Sequence, residues 1–173
     1  STSRAAANPV LTYDAARRRL VLLFARRPFG VVHDSGPASL SSVGIIFSTD
    51  EGKTWSRPRA ARLGRASRLM PGPGTGLQTA SGRLLVASHG LLYSGVLVSA
   101  SDDGGDTWTT APTVPRSFER MDEASLAQLP NGSVLLQMRH RLQPQLGRAL
   151  AMSDDDGRSF GRHRFVSALA GAV

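Results

Sequence analysis

Short apolar stretches alternate along the chain with clusters of glycine, proline, aspartate and serine, and this alternation predicts β-strands. Signals for helices are nearly absent. The predicted strands are Arg19–Ala25, Gly44–Ser48, Arg83–Ser88, Gly95–Ser101, Ala124–Leu129, Ser133–Met138 and Arg148–Ser153. A strand at Val10–Tyr13 is expected to pair with the first of these through a turn at residues 14–17. Two segments without a clear period, Pro28–Ser42 and Arg57–Pro73, are expected to be long loops.

An eight-residue pattern recurs three times, directly after a predicted strand in each case. The copies occupy residues 48–55, 101–108 and 153–160, and the first one reads Ser-Thr-Asp-Glu-Gly-Lys-Thr-Trp. In such a turn the aspartate accepts hydrogen bonds from backbone N–H groups that follow it, and the glycine supplies a positive φ. The aromatic residue at the end is expected to pack back onto the strands. Because the spacing is nearly constant, one supersecondary unit repeats along the chain.

The most reactive combination of side chains lies on a predicted hairpin whose turn is residues 130–132, Pro-Asn-Gly. Glu123 lies eight residues before Asn131 and Arg139 lies eight residues after it. In a simple antiparallel hairpin the two side chains face each other on one side of the sheet, although a bulge would shift the register by one. On general grounds the pair is a cross-strand salt bridge, and the alternative is a carboxylate and a guanidinium presented together to a ligand.

The formal charge of +8 comes from twenty arginines and one lysine, Lys53, against thirteen acidic residues, eight of which lie in the repeated pattern. A solubilising surface is the default interpretation, with nucleic acid, an acidic membrane surface or an anionic substrate as alternatives. Nucleic acid is disfavoured because no aromatic residues are interleaved with the basic ones. No cysteine is present, which excludes disulfides and thiolate metal sites but leaves secreted, lysosomal and cytoplasmic locations open.

No targeting or cofactor signal is found in the sequence. The longest apolar run, Leu20–Ala25, is too short to cross a bilayer, and no signal peptide precedes it. Four histidines lack zinc spacing, the repeated pattern lacks the spacing of a calcium loop, and Gly72–Gly76 lacks the ending of a phosphate loop. We therefore expect no metal, no cofactor and no integral membrane segment.

The repeated pattern resembles the Asp-box (BNR repeat) of the sialidase, or neuraminidase, family, and three further segments extend the resemblance. Asn8–Asp14, followed by the strand at Leu20–Phe24, is similar to the second blade of animal-type and bacterial sialidases. Gly72–Gln78 and the strand that follows it look like the family's Gly-Pro-Gly loop and its next strand. Asp122–Arg139 resembles the segment that carries the catalytic glutamate and the second arginine of a triad. The match runs from Asn8 to Phe160.

The resemblance implies an all-β fold, a sialidase-type β-propeller with six blades in the parent protein. Residues 1–173 would then be a partial propeller domain, an incomplete set of about three four-stranded blades. An open half-ring leaves sheet faces and edges uncovered, which is costly in water. We therefore expect a fragment of a longer protein whose remaining blades are its partners, and we expect this chain alone to fold poorly or to self-associate.

The resemblance also implies an exo-α-sialidase that releases terminal sialic acid with retention, through a tyrosine nucleophile. Glu123 would be the base partner of that tyrosine, and Arg139 would bind the substrate carboxylate. The acid aspartate, the nucleophile and the other two triad arginines match nothing here, so the isolated chain should lack turnover. The tyrosines that are present, Tyr13 and Tyr93, have the wrong context. Sialylated glycoproteins, gangliosides and oligosaccharides would be the ligands.

Three weaker possibilities stay open beside this interpretation. Asp34, which follows His33, is expected to lie in a surface loop rather than to act as an acid, and His89 is a candidate for lining the substrate side. A non-catalytic Asp-box propeller that binds sialosides or proteins is the first alternative function. A glycosidase of neutral glycans that uses paired carboxylates and no arginine triad is the second. Replacing Arg139 in the complete protein separates these functions.

Overall fold

The computed structural model describes residues 4–28, 42–63, 69–90, 95–110, 121–140, 143 and 146–169, and this part of the chain consists of β-strands with one short 3₁₀ helix, Ser167–Leu169. The strands are β1 Arg4–Asp14, β2 Arg19–Pro28, β3 Ser42–Ser48, β4 Arg59–Ala61, β5 Leu69–Pro71, β6 Gly74–Thr75, β7 Leu77–Gln78, β8 Leu84–Gly90, β9 Val96–Ser101, β10 Thr109–Thr110, β11 Met121–Gln128, β12 Val134–His140, β13 Arg148–Ser153 and β14 Arg164–Val166. The all-β prediction is confirmed.

These strands form three successive sheets. Sheet A has the order β4-β3-β2-β1-β6, sheet B has the order β10-β9-β8-β5 with β7 also paired to β8, and sheet C has the order β11-β12-β13-β14. Neighbouring strands are antiparallel except β1 and β6, which run parallel. None of the three sheets closes into a barrel in the described part of the chain, as expected of an incomplete propeller.

The strand predictions hold, and one loop prediction is wrong. Each predicted strand is present with small changes at its ends, and the first one extends from Val10–Tyr13 to Arg4–Asp14. The segment Arg57–Pro73 is not a single loop, because it contains β4 and β5. Its apolar residues Leu63, Leu69 and Met70 are buried, so packing against the sheets holds β5 and the end of the preceding described segment in place.

The hydrophobic core is divided between the two faces of sheet B, and the side chains of β8 alternate between the two halves. Leu84 and Val86 pack with residues of sheet A in one cluster. Leu85 and Ala87 pack with residues of sheet C in the other cluster. Because successive side chains of a strand point to opposite faces, every residue of β8 is buried. Sheet B is therefore the covered middle layer of the described structure.

The three repeated turns have the geometry that their sequence predicts. In each one the aspartate, Asp50, Asp103 or Asp155, accepts hydrogen bonds from the first serine and from the threonine or serine four residues on. The glycine N–H donates to the same serine hydroxyl at 2.7–2.9 Å. These are local contacts, so a turn sequence of eight residues is enough to specify them.

Candidate functional site

The hairpin of β11 and β12 carries the predicted pair of side chains. The turn is tight: Gly132 has a φ of +89° and donates to the carbonyl of Leu129, and Ser133 N–H donates to the Asn131 side chain. From this turn the two strands pair in the predicted register as far as Ala124 and Met138. Asparagine and glycine at the turn thus set which residues lie opposite each other at the far end.

At the far end of the hairpin, Arg139 Nη1 donates a hydrogen bond to Glu123 Oε2 at 2.7 Å. The register shifts between Met121 and Ala124, so a bulge at residues 122 and 123 lies opposite Arg139. The side chains of Glu123 and Arg139 are 41% and 27% exposed. A ligand can therefore reach both groups, and the predicted pairing of carboxylate and guanidinium is present.

Asp122, which the sequence did not single out, is buried beside this pair, with 2% of its surface exposed. Its Oδ1 accepts the backbone N–H of Glu123 at 2.8 Å and lies 3.9 Å from His89 Nε2. Burial raises the pKa of Asp122, while the Glu123 N–H and the charge of His89 act in the opposite direction. The only signal in the sequence was two adjacent carboxylates on a strand, of which one had to face the interior.

His89 joins the hairpin to the glycine-rich loop. Its Nδ1 lies 3.0 Å from the carbonyl oxygen of Gly72, and the histidine is 5% exposed, so it does not line an open substrate surface as considered from the sequence. The same loop is bound to both neighbouring sheets, because Gly72 N–H donates to Ala87 O and Gly76 N–H donates to Leu11 O, each at 3.0 Å. The loop thus fixes the position of His89 beside Asp122.

The remaining candidates do not join this site. Tyr13 lies next to the β1–β2 turn and is half exposed. It lines a cleft of about 380 Å³ with Arg18, Leu20, Ser48, Thr49 and Glu51, a set that includes neither Glu123 nor Arg139. His33, Asp34 and Tyr93 lie outside the described residues.

The described residues lack two features, a metal-binding cluster and a membrane-spanning helix. No group of three or more histidine, cysteine, aspartate or glutamate side chains there is arranged to hold a metal ion. In the same ranges, no helix has both the length and the apolar character that a membrane crossing requires.

Comparison with known proteins places the chain among proteins with the same repeats and the same fold. The model of the BNR repeat-like domain matches residues 1–171. The structure of the NanB sialidase from Streptococcus pneumoniae matches with a TM-score of 0.84 and 13% identity over 99% of this chain and 41% of that one. The intramolecular trans-sialidase from Ruminococcus gnavus matches with a TM-score of 0.78 and 17% identity over 98% and 55%.

A third structure, the Hadza microbial sialidase Hz136, matches with a TM-score of 0.76 and 21% identity over 92% of this chain and 33% of that one. The chain therefore spans about a third to just over half of the length of these sialidases. At such identities the likeness shows the fold, which is that of the sialidase β-propeller, as the sequence predicted.

Proposed function

The chain belongs to the family of BNR repeat-like domains, and on that premise we propose that it is part of an exo-α-sialidase. The enzyme hydrolyses terminal sialic acid from glycoproteins, gangliosides or oligosaccharides with retention of configuration. Residues 1–173 supply part of its propeller domain, and the remaining blades are supplied by other segments of the protein. The proposal rests on the contact between Glu123 and Arg139, at the position where the family resemblance puts a catalytic glutamate and a triad arginine.

The chemistry of sialic acid requires both kinds of group. Its anomeric carbon bears a carboxylate, which repels an anionic nucleophile, so a neutral tyrosine attacks in its place. In the proposed role Glu123 accepts the phenolic proton as the tyrosine oxygen attacks. Arg139 binds the substrate carboxylate through a planar guanidinium, which gives short, charge-assisted hydrogen bonds. The partial exposure of both side chains is consistent with these roles.

The isolated chain is proposed to lack turnover, because it supplies only these two groups. The acid aspartate, the nucleophilic tyrosine and the other two arginines come from the remaining blades. Activity is therefore a property of the protein that contains the chain together with those blades.

The test replaces Arg139 in that protein and measures release of N-acetylneuraminic acid from sialyllactose. We expect R139A to lower kcat/KM by at least about 100-fold, because a buried substrate carboxylate loses a charge-assisted partner. R139K should recover only part of this loss, since an ammonium group cannot bind bidentately. The control is R164A, which removes an exposed arginine of β14 in the same sheet.

The outcomes separate the three functions. E123Q should lower kcat more than it raises KM, because a proton acceptor acts in the transition state. Binding of sialyllactose without hydrolysis would replace the enzyme by a non-catalytic sialoside-binding module. Hydrolysis of neutral glycans that R139A leaves unchanged would contradict the sialidase and support a glycosidase with paired carboxylates.

A further inference from the structure

We propose that Asp122 and His89 form a buried charge pair that positions Glu123, so that Asp122 is a positioning residue of the site. The inference deepens the proposed function and rests on it for the role of Glu123. The geometry of the pair stands independently of that role.

A single carboxylate oxygen makes the connection. Asp122 Oδ1 accepts the backbone N–H of Glu123 at 2.8 Å and faces His89 Nε2 at 3.9 Å, which is within ion-pair range. Both side chains are almost completely buried, whereas Glu123 is partly exposed. The bulge at residues 122 and 123 turns Asp122 inward and leaves Glu123 in contact with Arg139. The position of the Glu123 backbone therefore depends on a side chain that is itself buried.

The hydrogen bond of His89 with the Gly72 carbonyl determines which ring nitrogen faces Asp122. His89 Nδ1 is 3.0 Å from the carbonyl oxygen of Gly72, which can only accept, so Nδ1 carries a hydrogen in either charge state. The other ring nitrogen, Nε2, faces Asp122. A positive charge on His89 opposite the Asp122 carboxylate gives a buried ion pair in which each charge has an opposite partner.

Within the described ranges, few other charged groups lie on the strands that pack against β11. Arg139 and His140 come from β12, and Glu123 is the next residue on β11. The strands β6, β7 and β9 also pack against β11 and carry no titratable side chain. His89 from β8 is thus the buried titratable partner, and burial raises the pKa of Asp122 against the effect of its positive charge.

The pair makes the Glu123 site sensitive to pH. When Asp122 is ionised, its bond from the Glu123 N–H is charge-assisted, and its charge directs the Glu123 carboxylate towards Arg139. When Asp122 takes up a proton, the hydrogen bond from the Glu123 N–H weakens, and the repulsion between the carboxyl groups of Asp122 and Glu123 disappears. Because burial raises the pKa of Asp122, this change occurs at a higher pH than for an ordinary aspartate.

The test is an NMR titration of the protein that includes the remaining blades, labelled in this segment, and it follows the aspartate carboxyl carbons and the Glu123 amide. The Glu123 amide should shift with the same midpoint as the Asp122 carboxyl carbon. In H89Q the midpoint should move to higher pH, because the positive charge that favours the carboxylate is lost. The matched control H140Q, which replaces a second buried histidine on β12, should leave the midpoint in place.

The conservative variant D122N tests whether Asp122 positions Glu123 or only fills space in the core. D122N keeps an oxygen that can accept the Glu123 N–H, so the amide should stay near its wild-type position and lose its dependence on pH. D122A should displace the amide at all pH values. A Glu123 amide that does not follow Asp122, or equal midpoints in H89Q and H140Q, would overturn the proposal.

Activity gives an independent readout in the protein that has the remaining blades. H89Q should move the acidic limb of kcat/KM to higher pH. D122A should lower kcat/KM roughly tenfold, and D122N, which keeps the acceptor oxygen but lacks the charge, should lower it by less. Absence of sialoside hydrolysis in every variant and in the wild type would refute the proposed function. The coupled titration of Asp122 and the Glu123 amide would remain in that case, so the two failures are distinguishable.

Discussion

At the scale of single residues, the repeated turns depend on ionised carboxylates that are held by short local hydrogen bonds. Hydrogen bonds from the Thr54 hydroxyl and amide and from Ser48 lower the pKa of Asp50 to about 2. Burial opposes ionisation of Asp155, but hydrogen bonds from Ser159 and Ser153 outweigh it and lower its pKa to about 2. A lowered pKa means that protonation of these carboxylates costs folding free energy, so these residues link the stability of the fold to pH.

The stability contributed by these aspartates should disappear in acid. Their pKa is lower in the folded chain than the ordinary value, so the contribution is complete above about pH 4 and is lost as the pH falls towards 2. D50N should lower the melting temperature at pH 7 by about 3–6 °C and reduce its fall between pH 4 and pH 2. The control E51Q changes the adjacent carboxylate of the same turn. Equal melting curves for D50N and E51Q would contradict the prediction.

At the scale of elements, each of the second and third Asp-boxes contacts the sheet that precedes it. Arg19 of β2 donates to the carbonyl of Gly104 at 3.0 Å, and Ser81 donates to Asp156 at 2.7 Å. A Cβ placed on Gly157 would lie 2.5 Å from the buried Leu85 side chain of β8. The turn therefore has a second role, since its outer surface fits closely against the neighbouring sheet.

Two glycines with similar backbone angles allow two effects of substitution on the free energy of unfolding to be measured separately. One is the backbone strain in the turn, and the other is the contact with Leu85. Gly157 and Gly132 have φ values of +76° and +89°, but a Cβ on Gly132 meets nothing within 4 Å. G132A should lower the free energy of unfolding by about 1 kcal/mol through backbone strain alone. G157A should cost about 1–3 kcal/mol more, because Leu85 is fully buried and has to move.

Equilibrium unfolding in urea measures both glycine variants. Equal losses of unfolding free energy in G132A and G157A would show that the third Asp-box does not pack closely against sheet B.

At the scale of the whole molecule, sheet B is covered on both sides and the two outer sheets are not. Large exposed apolar side chains occur on sheet A, at Leu11, Tyr13 and Trp55, and near the end of sheet C, at Phe165 and Leu169. The first Asp-box shows the same asymmetry, since Trp55 is 37% exposed whereas Trp108 in the second box is 7% exposed. In the proposed closed ring, we expect further blades to cover these faces.

We therefore expect the isolated chain to self-associate through these faces. Its weight-average mass in sedimentation velocity should rise with concentration in the micromolar range. A double variant, Y13S with W55S, removes apolar surface from sheet A and should reduce the association, whereas R57A, an exposed polar control near the same turn, should leave it unchanged. A monomer that unfolds in one sharp cooperative transition would contradict this expectation.

The amino-acid sequence by itself determined the features that depend on neighbouring residues. Periodic apolar residues predicted the strands, the eight-residue pattern predicted the Asp-box hydrogen bonds, and the Pro-Asn-Gly turn predicted that Glu123 meets Arg139. Each of these needs only residues within one hairpin, where turn chemistry and the two-residue period of a strand decide the geometry.

Only the tertiary structure decided the features that join separate hairpins. It ordered β4 and β5 inside a segment predicted to be a loop, because the burial of Leu69 and Met70 depends on contacts with distant strands. It also brought His89 of sheet B beside Asp122 of sheet C through a loop that contacts sheet A. Such contacts depend on how whole sheets stack, and the periodicity of one strand contains no information about the strand that will face it.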